Sequence, residues 1–131
     1  MNPHTPHWAI QYIGLPWVAG SSDCWSFARQ VWREQFGWNV AAVDVDAASR
    51  LSSLRAFDDH PEHAHWQIVR DPCEGDACLM GKSERPCHIG VYLAADGGGV
   101  LHSLETVGVV FTPVSALPSV GLRVLSWHRR R

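Results

Sequence analysis

Cys24 is the residue around which chemistry could be organised. It follows a turn rich in Gly, Pro and Ser (Gly14, Pro16, Gly20, Ser21, Ser22) and opens an amphipathic segment, which places its thiol at the first turn of a helix. At that position the helix dipole and the unpaired backbone N–H groups favour the thiolate, the nucleophilic form. A cysteine on a buried helical face can equally serve as a small hydrophobe, so the position alone does not make a nucleophile. Nucleophilic catalysis also needs a base within hydrogen-bond reach and a group that orients the base. His88 opens the run His88-Ile89-Gly90-Val91-Tyr92-Leu93, and His102 lies in Val100-Leu101-His102-Ser103. With Gly97-Gly98-Gly99 as the turn, the two runs predict a hairpin that brings the histidines together on neighbouring strands.

The elements that must position this trio are readable from periodicity. Cys24, Phe27, Ala28, Val31 and Trp32 fall on one helical face, and Arg29, Arg33 and Glu34 occupy much of the other. Ser21, Ser22 or Asp23 can cap this helix, and Gly37 suits its end. A second helical pattern runs from about Ala47 to Phe57 and gives way to the polar loop Asp58 to His65. Short apolar runs then predict strands at Trp66–Val69, Ala77–Met80, His88–Ala94, Val100–Ser103, Val107–Phe111 and Leu122–Trp127. Helices followed by closely spaced strands indicate an α+β fold with an antiparallel sheet, with the nucleophile at a helix N-terminus packed on that sheet.

Length and charge narrow the possible functions. The 131 residues suit one domain, 1–131, and the formal net charge of −2 offers no broad basic surface for nucleic acid. Arg129, Arg130 and Arg131 form the only basic cluster, expected as a solvated tail. No apolar stretch approaches the roughly 20 residues that span a bilayer, so membrane insertion is not expected. The first residues lack the pattern of a secretion signal, which points to synthesis in the cytoplasm and to reduced Cys24, Cys73, Cys78 and Cys87.

The segment from Gly14-Leu15-Pro16-Trp17 through Gly20-Ser21-Ser22-Asp23-Cys24 is similar to the Pro-Tyr-x-x-Gly-Gly-(loop)-Asp-Cys motif of the NlpC family of papain-like cell-wall peptidases. His88-Ile89-Gly90-Val91-Tyr92 resembles that family's His-(Val/Ile)-Gly-(Ile/Val)-Tyr strand, Gly75-Asp76 its preceding Gly-Asp, and Leu101-His102-Ser103 the strand bearing its third catalytic residue. Motifs recurring in the family's own order make the resemblance specific. It implies that Cys24 attacks an amide carbonyl in a peptidoglycan stem peptide, that His88 moves the proton, and that His102 orients His88. It implies Asp23, Trp17, Trp25 and Ser26 as substrate contacts, and no cofactor and no metal. Asp23 reads equally as a helix cap. Trp17 stands where the family has a groove tyrosine, and Trp25-Ser26 replaces its Ser-Gly. Asp23-Cys24-Trp25 and the Gly75 to Met80 strand most resemble the short phage and prophage branch. That branch implies a virion component at the tail tip, acting in the periplasm with tail-tip or baseplate hub proteins as partners.

Other readings remain open on the sequence. Cys73, Cys78, Cys87 and His88 could supply four zinc ligands, and His60, His63 and His65 form a second dense group. Neighbouring Cys87 and His88 would nevertheless point to opposite faces of a strand. Seven tryptophans, including Trp8, Trp38, Trp66 and Trp127, could mark an assembly surface on a structural subunit. Related folds also include amidases and acyltransferases.

Overall fold

A computed structural model describes residues 7–41 and 64–131. The helical pattern from Ala47 to Phe57, and His60 and His63, lie outside the described residues. Helix α1 spans Cys24–Val31. Asp23 is its N-cap: its backbone is extended, and its carboxylate accepts the Ser26 N–H at 2.9 Å. Phe27, Ala28 and Val31 are fully buried, and burying Phe27 and Val31 contributes about 1.5–3 kcal/mol each. The helix widens into a π turn over Trp32–Phe36 and stops at Gly37, which adopts the left-handed cap conformation.

Among the described residues six strands follow: β1 (Trp66–Val69), β2 (Ala77–Gly81), β3 (His88–Leu93), β4 (Gly99–Leu104), β5 (Gly108–Pro113) and β6 (Arg123–Arg130). All neighbouring pairs are antiparallel, and the sheet order is β1-β6-β2-β3-β4-β5. The expected α+β architecture is therefore present, with α1 packed on β3 and β4.

The side of the sheet facing α1 holds the larger core. Phe27, Val31 and Trp32 meet Ile89, Val91, Leu93, Leu101 and Val109 there. A smaller cluster of Cys78, Met80, Val100, Leu117 and Leu122 is completed by the 3-10 segment Val114–Val120. Trp32 is wholly buried, and its indole N–H donates to the Gly75 carbonyl at 2.8 Å, tying the end of the helix to the entrance of β2.

One expectation changes. The arginines at the end are not a solvated tail, because β6 lies between β1 and β2 and continues through Arg130. Arg129 grips the buried Asp76 carboxylate through both Nε and Nη2, Arg130 stacks over the Trp66 ring at 5.6 Å, and the Arg131 N–H donates to the His65 carbonyl. The four tryptophans considered for an assembly surface are also engaged internally. Trp8 meets Phe36, Trp38 meets Phe36 and Trp66, Trp66 meets Trp32, and Trp127 meets Tyr92.

Candidate active site

The loop carrying Cys24 is fastened at both ends. Its start adds to the sheet edge: the Gly14 N–H donates to the Val109 carbonyl and the Val109 N–H to the Leu15 carbonyl, each at 2.9 Å. A Cβ at Gly108 would strike the Leu15 carbonyl oxygen, so this close approach requires glycine there. At the other end the Ser103 hydroxyl on β4 donates to the Ser22 carbonyl at 2.8 Å. Asp23 completes the anchoring, with one carboxylate oxygen on the Ser26 N–H and the other on the Gly20 N–H at 2.7 Å.

This fastening sets the thiol against the start of β3. Pairing of β3 with β4 runs through Leu93↔Gly99, Tyr92↔Val100 and Val91↔Leu101. The Tyr92 N–H is bonded to Asp76 beside β2, so the N–H groups of Val91 and Ile89 face β4. At Ile89 that donor is aimed at the Cys24 sulfur, and the Trp25 N–H aims at it as well. Cys24 is partly exposed. Burial, the dominant influence, pushes its thiol up to about 11; the two N–H groups act against that shift and the neighbouring Asp23 charge acts with it.

His88 and His102 do come together as the hairpin predicted, with His88 Nε2 2.8 Å from His102 Nδ1. Continuing the β3–β4 register sets Gly90 opposite His102, with His88 one diagonal step away on the same face. Gly90 makes the approach possible. A Cβ there would fall on Val100 Cγ1 and lie 3.0 Å from both His102 Cβ and the Leu101 carbonyl oxygen. Behind the pair, His102 Nε2 lies 2.9 Å from the Thr112 hydroxyl on β5. Burial lowers His88 to about 3, with His102 adding to the effect, and burial lowers His102 to about 4. Both rings are therefore neutral at neutral pH. His88 Nδ1 is the ring nitrogen that His102 does not occupy.

The remaining site candidates sit on the same loop and first helical turn. Trp17 is partly buried in the loop. Trp25 packs edge-on against Trp32 at 6.2 Å, and Ser26 is engaged through its backbone by the Asp23 cap. The alternative zinc ligands are scattered: Cys73 is exposed, Cys78 is buried in the smaller core and Cys87 is intermediate. Among the described residues no three His, Cys, Asp or Glu side chains are grouped to hold a metal.

The sequence reading missed Gly90 and Thr112. A glycine inside a strand is the usual mark of a close approach and could have flagged the first. Thr112 becomes visible only once the register Val100↔Thr112 and His102↔Val110 is known.

Helix α1 packed on the antiparallel sheet is a papain-like α+β fold. Residues 14–119 match the NlpC/P60 family, and the chain belongs to it. The crystal structure of the NlpC/p60 domain of the peptidoglycan hydrolase SagA shares the fold, with a TM-score of 0.57, 17% identity, and coverage of 94% of this chain and 92% of that one. Among curated proteins, none matches the sequence.

Proposed function

We propose that this chain is a cysteine peptidase that hydrolyses an amide bond in peptidoglycan stem peptides. The observation that carries the reading is a pair of hydrogen-bonded neutral histidines on β3 and β4, with the helix-start Cys24 thiol meeting the Ile89 N–H of that same strand β3. Family membership and the fold shared with a peptidoglycan hydrolase support the substrate class.

In the proposed reaction the Cys24 sulfur adds to the amide carbonyl while His88 Nδ1 takes the thiol proton. Burial disfavours separated charges here, so proton transfer accompanies attack instead of preceding it as a resting thiolate. The backbone N–H of Cys24, one of the helix-start donors without an intrahelical partner, stabilises the oxyanion. Collapse expels the amine, which receives the proton from His88 and leaves a thioester. Water, deprotonated by His88, hydrolyses that thioester and restores the thiol. His102 keeps the His88 ring in register throughout. Asp23 holds the loop, and Trp17, Trp25 and Ser26 are the groove contacts beside it.

The proposed setting is the tail tip of a phage or phage-like particle. The protein would be made in the bacterial cytoplasm, held by hub or baseplate proteins, and brought to the wall from the periplasmic side. The short-branch motif Asp23-Cys24-Trp25 supports that setting. Acid quenching during turnover of a stem peptide, followed by peptide mapping, tests the chemistry. An acyl adduct on Cys24 is expected; turnover with the acyl group on another residue, or with no adduct and full resistance to thiol alkylation, would contradict it.

A further inference from the structure

The hydrogen-bonded row does not end at His102. It crosses three neighbouring strands on one face of the sheet: His88 on β3, His102 on β4 and Thr112 on β5, with contacts of 2.8 and 2.9 Å. His102 is fully buried and Thr112 nearly so, which leaves the far nitrogen of His102 dependent on the threonine hydroxyl. Resting on the hydrolase reading above, we propose that Thr112 is a positioning residue. By accepting from His102 Nε2–H it fixes the His102 tautomer, and through it the tautomer that makes His88 a base.

The proton count leaves two neutral arrangements. In the first, His88 Nε2–H donates to His102 Nδ1, His102 Nε2–H donates to Thr112 Oγ1, and His88 Nδ1 keeps its lone pair for the Cys24 proton. In the second, His102 Nδ1–H donates to His88 Nε2, and the remaining proton of His88 sits on Nδ1, where it blocks the base. Only the first arrangement is productive, and it leaves His102 with an N–H that needs an acceptor. A hydroxyl satisfies that need; a methyl group in its place would strand a buried N–H. Stranding an N–H is less tolerable than stranding a lone pair, so loss of the hydroxyl favours the second, blocked arrangement. When His88 becomes doubly protonated during attack, the same Nε2–H to Nδ1 bond persists and Thr112 continues as the terminal acceptor.

Thr112→Val keeps the β-branched shape that suits a strand and removes only the hydroxyl. The tautomers can be read directly from long-range proton–nitrogen correlations of the imidazole rings in nitrogen-labelled full-length protein. Alkylation of Cys24 by iodoacetamide, mapped by peptide mass, reports the base without any peptidoglycan substrate. In the wild type both rings should carry their proton on Nε2. In Thr112→Val, His102 should shift to the Nδ1–H form, and Cys24 alkylation at neutral pH should slow by at least about tenfold, a part of the roughly 10²–10⁴-fold that a positioned base contributes. Thr112→Ser should restore both readouts. A folded Thr112→Val protein that keeps the wild-type tautomers and alkylation rate would overturn the proposal, as would a wild-type His102 protonated on Nδ1. A wild type inactive on peptidoglycan would instead overturn the hydrolase reading, while the tautomer comparison would still decide the role of Thr112.

Discussion

Replacing Gly90 by alanine tests how the sheet creates the histidine pair. The added Cβ would overlap Val100 Cγ1 and sit 3.0 Å from both the Leu101 carbonyl oxygen and His102 Cβ. Val100, Leu101 and His102 are all fully buried, and β4 is held on both sides by β3 and β5, so none can retreat freely. Overpacking of this kind costs about 1–3 kcal/mol. Reduced freedom of the unfolded chain returns roughly 0.4–1 kcal/mol. The net loss of about 1–2 kcal/mol corresponds to a fall in Tm of roughly 3–10 °C for a domain of this size. Against an ordinary stability of about 5–15 kcal/mol, that loss leaves the protein folded at room temperature. Activity should suffer more than stability, because the Cβ displaces His102 from His88, and a misplacement of about 1 Å can cost on the order of a hundredfold in rate. Thermal melting by circular dichroism and the turnover rate on stem peptides, compared at room temperature, check the two parts. A Gly90→Ala protein with both Tm and turnover unchanged would refute the reasoning.

The two desolvated histidines, His102 fully buried and His88 partly so, make stability fall in acid. Their folded pKa values, about 3 and about 4, lie below the ordinary 6.5, so their contribution is complete above pH 6.5 and is lost as pH drops toward those values. Cys24 acts at the other end: its pKa is raised from 9.0 to about 11, so its contribution is complete below pH 9.0 and is lost as pH rises through 11. Urea midpoints across pH should follow this dome, and the alkaline decline should be smaller in Cys24→Ala. Asp76→Ala should lower stability by about 1–3 kcal/mol, because it removes the acceptor of Arg129 and of the Cys73 N–H, with the partial exposure of Arg129 softening the loss. An unchanged urea midpoint in that variant would show that β6 is held without the ion pair.

What could be read from the sequence depended on the range of the signal. The six strands and the α1 face are local patterns of apolar spacing, and each was readable as such. The Asp23 cap was one of three candidates, and only the geometry of the Ser26 N–H selects it. Clustered arginines near a chain end ordinarily signal solvent; their real partners, Asp76 and Trp66, are more than fifty residues away in sequence and unite only when β6 inserts between β1 and β2. The tryptophans left core packing and an assembly surface both open, since an aromatic count cannot tell ring-on-ring packing from exposed surface. The pairing of His88 with His102 was legible because the glycine turn predicts their hairpin. Thr112 was not, because its role depends on strand register.

The most direct test of the account is release of soluble peptide from purified Gram-negative peptidoglycan by the wild type and by Cys24→Ala, with the products identified by mass spectrometry. Stem-peptide fragments are expected from the wild type and none from a folded Cys24→Ala protein. Equal release by both would contradict Cys24 as the nucleophile, and no release by a folded, reduced wild type would contradict the hydrolase reading itself.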